Sequence, residues 1–187
     1  MKAEIPFFRI QREQAAGLVI DIQEKLFPFI SGHEDLAVKS GILIRGLQVL
    51  KIPIVITEQY TKGLGPTIQP VRELFDPNSH LEKLAFSCCD DPTIMDRLNS
   101  MDKKFIIITG IEAHVCVLQT AIDLLERHFV PVIVEDCVSS RRLNDKNMAI
   151  SRMRRMGALI TTYESVLFEL LRFSGTEEFK AISRLVK

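Results

Sequence analysis

The chain has 187 residues, enough for one domain with a full core, and its 24 lysines and arginines balance 24 aspartates and glutamates. Zero net charge argues against a nucleic-acid-binding or membrane-surface protein, and no apolar run approaches the ~18 residues of a membrane span. Four cysteines without a CxxC pair, Cys88 and Cys89 adjacent among them, and an N-terminus (MKAEIPFFRIQREQ) without a signal-peptide core point to a reducing, cytoplasmic setting.

Residues 1–14 read as a polar, irregular arm over the domain edge. Ala16 to Ile22 (AGLVIDI) is an apolar run closing on Asp21 and is expected to be the first central strand. Asp21 is then either a turn or capping residue or an acid at the C-terminal end of a parallel strand, where ligand sites of open α/β sheets lie. Gln23 follows it, and residues 24–33 form a loop. Leu36, Ile42, Leu43, Leu47 and Leu50 give Glu34 to Leu50 the apolar stripe of a helix. Ile52 to Thr57 (IPIVIT) is the second strand. Glu58 to Pro70 reads as a long Gly- and Pro-rich loop, a length usually functional or mobile.

Leu81 to Phe86 is a short strand candidate carrying Lys83, and an edge-strand lysine facing water is its commoner explanation. Pro92 to Ser100 is a helix with proline near its start. Phe105 to Thr109 has the β-branched and aromatic composition of a strand covered on both faces, and Gly110 breaks it. Val115, Leu118, Ile122, Leu125 and Phe129 then follow helical spacing, which places Cys116 in the first turn. A thiol at the positive end of a helix has a lowered pKa and is a nucleophile; a small apolar filler is the plainer reading.

Pro131 to Glu135 is the next strand, ending in Glu135 and Asp136. Asn144 to Met156 is a helix capped by Asn144 or Asp145, with Arg152, Arg154 and Arg155 on a solvated face. Ala158 to Thr162 is the last strand, and Glu164 to Phe173 and Glu177 to Leu185 are closing helices. Strands alternating with helices imply a parallel sheet with helices on both faces, and the absence of repeats or linkers implies a single domain over residues 1–187. The histidines, His33, His80, His114 and His128, show no metal-ligand spacing. Asp21, Lys83 and Cys116 all stand near strand ends of one sheet, so they can meet. A carboxylate can move a proton, an ammonium can hold a thiolate, and helix N–H groups can face an oxyanion.

On these motifs the sequence resembles the isochorismatase-like cysteine hydrolases from about Gly17 to Phe173. LVIDIQ (residues 18–23) looks like the family's opening strand, KLAFS (83–87) its lysine followed by Phe-Ser, GIEAHVCV (110–117) its nucleophile turn, and EDCVSSR (135–141) its strand-end acid and turn. The resemblance implies a three-layer α/β/α, Rossmann-like fold with a six-stranded parallel sheet. It also implies a triad of Asp21, Lys83 and Cys116 and a cis peptide between Ile111 and Glu112, which would aim the Glu112 amide beside that of Cys116. Cys116 points to acyl chemistry on an amide, carbamoyl or nitrile-like carbon. The metal motif of the family's nicotinamidases is replaced by Glu58, Gln59 and Tyr60, so no metal and no cofactor is expected.

The expected reaction is cleavage of a C–N bond in a small-molecule substrate through a cysteine thioester, with Cys116 held as a thiolate by Lys83. A helix terminus alone offers only ~0.3–1 kcal/mol toward that ionisation. Gln23, Gln59 and Tyr60 are candidate pocket-lining residues. A thiol-redox protein using Cys116 with Cys88 or Cys89, or a non-catalytic oligomer, is the alternative. The apolar segment ESVLFELLRF and the neutral charge suggest a homo-oligomer; packing of Val166, Leu167, Leu170 and Leu171 on the sheet is the simpler account of that segment.

Overall fold

The computed structural model describes residues 9–187, so most of the expected N-terminal arm lies outside the described residues. The apolar runs form strands β1 (Ala15–Ile20), β2 (Ile54–Gln59), β3 (His80–Lys83), β4 (Phe105–Ile111), β5 (Val130–Ser139) and β6 (Leu159–Thr161). They pair into one parallel six-stranded sheet in the order β3-β2-β1-β4-β5-β6. The helices are α1 (His33–Val49), α2 (Thr61–Leu64), α3 (Gln69–Arg72), α4 (Pro92–Ser100), α5 (Leu118–Glu126), α6 (Leu143–Met156), α7 (Tyr163–Leu171) and α8 (Glu177–Leu185). None is long and apolar enough to cross a membrane.

Alternation along the central strands sorts the core into two layers. Ala16, Leu18, Ile20, Ile106, Ile108 and Ile133 pack with Leu98 of α4, Leu124 of α5 and Ile150 of α6. Ala15, Phe105, Ile107, Val132 and Val134 pack with Leu47 of α1, Leu167 of α7 and Ile182 of α8. Val166, Leu167, Leu170 and Leu171 are all buried in this second layer, so the C-terminal apolar segment is part of the core. The exposed Arg152, Arg154 and Arg155 face water as expected.

Three expectations about local structure change. The loop after β2 contains α2 and α3, and β2 itself runs on to Gln59. This segment is tied back to the sheet: the buried Glu58 Oε1 accepts from the Thr67 amide and hydroxyl, both at 2.7 Å. Helix α6 starts one residue early, after Arg142, and no side chain caps it, so Asn144 and Asp145 lie inside its first turn. Strand β5 continues past Glu135 and Asp136 to Ser139, across a register shift between Ile108 and Gly110 of β4.

The chain runs outward from β1 through β2 to β3, then returns to the other side of β1 with β4. The topological switch point therefore lies between β1 and β4, where open α/β sheets hold their ligands beyond the carboxyl ends of the strands.

Candidate active site

Asp21 leaves the end of β1 with φ 52°, a left-handed conformation that aspartate tolerates better than most residues. Gly110 of β4 allows this close passage. It has φ 139°, and a Cβ there would lie 2.1 Å from the Ile20 carbonyl oxygen. Gly110 does not break the strand as expected; β4 continues through it to Ile111. Asp21 is buried, and Thr57 of β2 holds it twice. The Asp21 amide donates to the Thr57 carbonyl at 3.2 Å, and the Thr57 hydroxyl donates to Asp21 Oδ1 at 2.7 Å.

Lys83 ends β3, and its side chain lies inside the protein rather than in water. Gln59 pairs with Lys83 in the β2–β3 register, which puts both side chains on one face. Lys83 Nζ donates to Asp21 Oδ2 at 2.6 Å and Gln59 Oε1 at 2.7 Å, and reaches the carbonyls of Ala85 and Phe86 at 3.2 Å. An ammonium has three protons, so four oxygens at these distances leave it fully engaged. Burial is the largest single influence and works against its charge, but the Asp21 carboxylate and the other groups around it together outweigh burial, and the Lys83 pKa is raised. The side chains of the pair are 0% and 1% exposed.

Cys116 lies in a wide turn, Ala113–Val117, ahead of α5 rather than in its first α-helical turn. The Val117 amide bonds the Glu112 carbonyl five residues back at 3.3 Å, the spacing of a π-type turn. The peptide bond between Ile111 and Glu112 is cis. The buried Cys116 thiol lies close enough to the Asp21 carboxylate and the Lys83 ammonium for both to act on its ionisation. Burial pushes this thiol well up from the ordinary cysteine range; the Asp21 charge adds to the rise, and Lys83 only partly opposes it. This departs from the expectation of a depressed pKa. That expectation rested on a helix terminus and a free cation. Here the thiol is deeply buried, and the cation is already matched to Asp21.

Cys88, buried in the same core layer, is pushed up to about 12, first by burial and then by Asp21. All four cysteines are free thiols. Gln23 is a buried clamp rather than an open pocket wall: Oε1 accepts from the Gln59 amide at 2.7 Å, and Nε2 donates to the Gln59 carbonyl at 3.0 Å and the Gly65 carbonyl at 2.6 Å. Gln59 is similarly engaged, its Nε2 reaching the Leu84 carbonyl at 2.7 Å. Tyr60, 49% exposed, stands beyond them at the rim.

Beside the turn that carries Cys116, the Glu112 carboxylate accepts from the Arg141 amide at 2.9 Å and from Arg141 Nε at 3.1 Å. Sequence reasoning missed Thr57 and Arg141 as neighbours of the site. Thr57 reads as an ordinary β-former, although its place two residues before Gln59 puts it on the face Lys83 shares. Among the described residues, no group of three His, Cys, Asp or Glu side chains is arranged to hold a metal ion.

The fold defines an α/β hydrolase-like protein of the isochorismatase type, and the comparisons agree. Residues 15–165 match the family model described as the Isochorismatase domain. The chain belongs to the isochorismatase family. It is 39% identical over 183 residues to Isochorismatase family protein 1B of Dictyostelium discoideum, covering 96% of this chain and 89% of that one. Among solved structures it is similar to one titled MAR1 ribonuclease, from Caenorhabditis elegans, with a TM-score of 0.89, 38% identity, and coverage of 95% of this chain and 92% of that chain. The YcaC gene product of Escherichia coli shares the fold, with a TM-score of 0.89 at 21% identity over 96% and 91% of the two chains.

Proposed function

We propose that the protein is a cysteine hydrolase that cleaves a C–N bond of a small amide or carbamoyl-type substrate through a thioester on Cys116. The observation that supports this reading most directly is the Asp21 carboxylate, gripped by Lys83 at 2.6 Å and lying next to the buried Cys116 thiol. The resting nucleophile is a thiol. As its sulfur attacks the sp² carbon, Asp21 takes the proton, and the oxyanion that forms is held by the amides of Glu112 and Cys116. Collapse breaks the C–N bond, and the departing amine takes the proton from Asp21. Water then attacks the thioester as Asp21 takes one of its protons; the C–S bond breaks, the acid product leaves, and Asp21 returns the proton to the departing sulfur, restoring the thiol. Lys83 acts by holding the Asp21 carboxylate in place, not by pairing with a standing thiolate. The reaction uses no metal or cofactor.

We further take the working form to be a homo-oligomer. The E. coli protein of the same fold is described as an octameric hydrolase of unknown specificity. Here the exposed Leu84 and Phe86 follow directly on Lys83 and offer apolar surface beside the site. Light scattering should give a mass well above 21.3 kDa; that mass at all concentrations would refute it.

The name of the C. elegans protein makes RNA the competing substrate. The test is a panel of small amides, carbamates and ureido acids, with RNA alongside, read by released amine and by intact mass after acid quench. The expected result is amine release with an acyl adduct on Cys116, both lost in Cys116→Ser. Amine release that survives Cys116→Ser, or Cys116-dependent cleavage of RNA alone, would overturn the proposal.

A further inference from the structure

We infer that Thr57 is a positioning residue for the proton acceptor, fixing the Asp21 carboxylate so that it faces the Cys116 thiol. The inference rests on the cysteine-hydrolase reading and extends it to a residue outside the triad. Thr57 is fully buried in β2, one strand away from Asp21, and carries no charge of its own. Its hydroxyl has a single proton and two oxygens in reach, Asp21 Oδ1 at 2.7 Å and the Val19 carbonyl at 3.5 Å. The shorter, charge-assisted bond takes the proton.

Asp21 needs such a grip. Its backbone is in the left-handed region, and the Thr57 carbonyl receives its amide while the Thr57 hydroxyl holds one carboxylate oxygen. Lys83 holds the other oxygen. With both oxygens tied from β2 and β3, rotation of the carboxylate is blocked, and the lone pair toward Cys116 keeps its direction. Without the hydroxyl, Oδ1 is left buried with one donor fewer. The group is then free to turn toward Lys83. The titratable groups facing Asp21 are Lys83 from β3, Cys116 from the nucleophile turn and Cys88 from the segment before α4.

Alkylation of Cys116 by iodoacetamide tests this without a known substrate. The rate is followed against pH by peptide mass spectrometry in the full-length protein. Thr57→Val keeps the shape and drops the hydroxyl; Thr57→Ser keeps the hydroxyl. In Thr57→Val, the neutral-pH rate is expected to fall about tenfold, the loss of a charge-assisted hydrogen bond. Thr57→Ser should stay within about twofold of the parent, because the hydrogen bond survives. If Thr57→Val is too unstable, Thr57→Ala reads the same hydroxyl. A Thr57→Val or Thr57→Ala profile that superimposes on the parent would overturn the inference, as would Thr57→Ser failing as badly as Thr57→Val. Asp21→Asn, run in parallel, separates the two levels. If it leaves Cys116 alkylation unchanged, the hydrolase reading itself fails; if it abolishes assistance while Thr57→Val changes nothing, only the role of Thr57 fails.

Discussion

Two carboxylate–cation pairs flank the turn that carries Cys116, and they differ in kind. Asp21 and Lys83 are both sealed from water, 2.6 Å apart, with further partners on each. Glu112 and Arg141 lie 3.1 Å apart, with the Arg141 side chain 59% exposed. Taking two charges out of water carries a large desolvation penalty that mutual attraction only roughly offsets, so an interior pair is weak evidence of stabilisation by itself. Its value lies in what it holds in place. The outer pair is cheap and screened, and a main-chain bond from the Arg141 amide also anchors Glu112. The inner pair is accordingly read as machinery and the outer pair as a brace for the turn.

Removing one partner from each pair should expose that difference most strongly. Lys83→Met leaves the Asp21 charge buried and uncompensated, a loss expected at ~3–5 kcal/mol. Arg141→Ala should cost no more than ~1 kcal/mol. Urea denaturation of the two variants measures both values, and similar losses would erase the distinction. The double variant Asp21→Asn/Lys83→Met should recover most of the lost stability while remaining inert toward substrate, because replacing a whole buried pair is far less costly than halving it.

A second, graded effect concerns alkaline pH. The Cys88 thiol beside the inner pair titrates at about 12 when folded, against ~8.5 for a free cysteine. A folded pKa raised above the unfolded one gives stability that is complete below the unfolded value and is lost as pH rises. The unfolded state releases its proton first, so the slope is about −1.4 kcal/mol per pH unit for each such thiol from about pH 8.5 upward. Lys83 acts in the same direction, starting above the ~10.4 of a free lysine. Cys88→Ala should flatten the measured slope by roughly one thiol's share. Arg141→Ala should leave it unchanged, since its charge lies outside this buried group.

The inner pair was only partly legible in the sequence. Asp21 and Lys83 stand out because charged residues interrupt apolar strand runs, and Cys116 because it follows a strand and a glycine. The parallel sheet followed from strand–helix alternation, and the Isochorismatase family match supports the resemblance drawn from the four motifs. What the sequence could not show is which way each group faces. Its strand alone makes Lys83 read as an edge lysine facing water, and only the meeting of strand ends and the family resemblance bring it to the site; pairing with Gln59 is what turns it inward. Cys116 looked like a thiolate because a helix terminus and a cation were both to hand; burial and prior commitment of the cation reverse the sign. Gln23 and Gln59 have the polarity of pocket residues, yet long-range backbone bonds engage their amides. Thr57 carries no sequence signal beyond strand propensity, because its role depends on a neighbour thirty-six residues away.

In the proposed mechanism Cys116 rests as a thiol and loses its proton to Asp21 only when it attacks. Thiolate has an ultraviolet absorbance that the thiol lacks, so the difference between the parent protein and Cys116→Ser, followed from about pH 5 to about pH 10, reports this residue alone. The expected result is no ionisation step from Cys116 across that range, together with alkylation at neutral pH that Asp21→Asn removes. A clear step with a midpoint below about pH 8, still present in Asp21→Asn, would contradict the account, because Cys116 would then be a standing thiolate that needs no carboxylate to activate it.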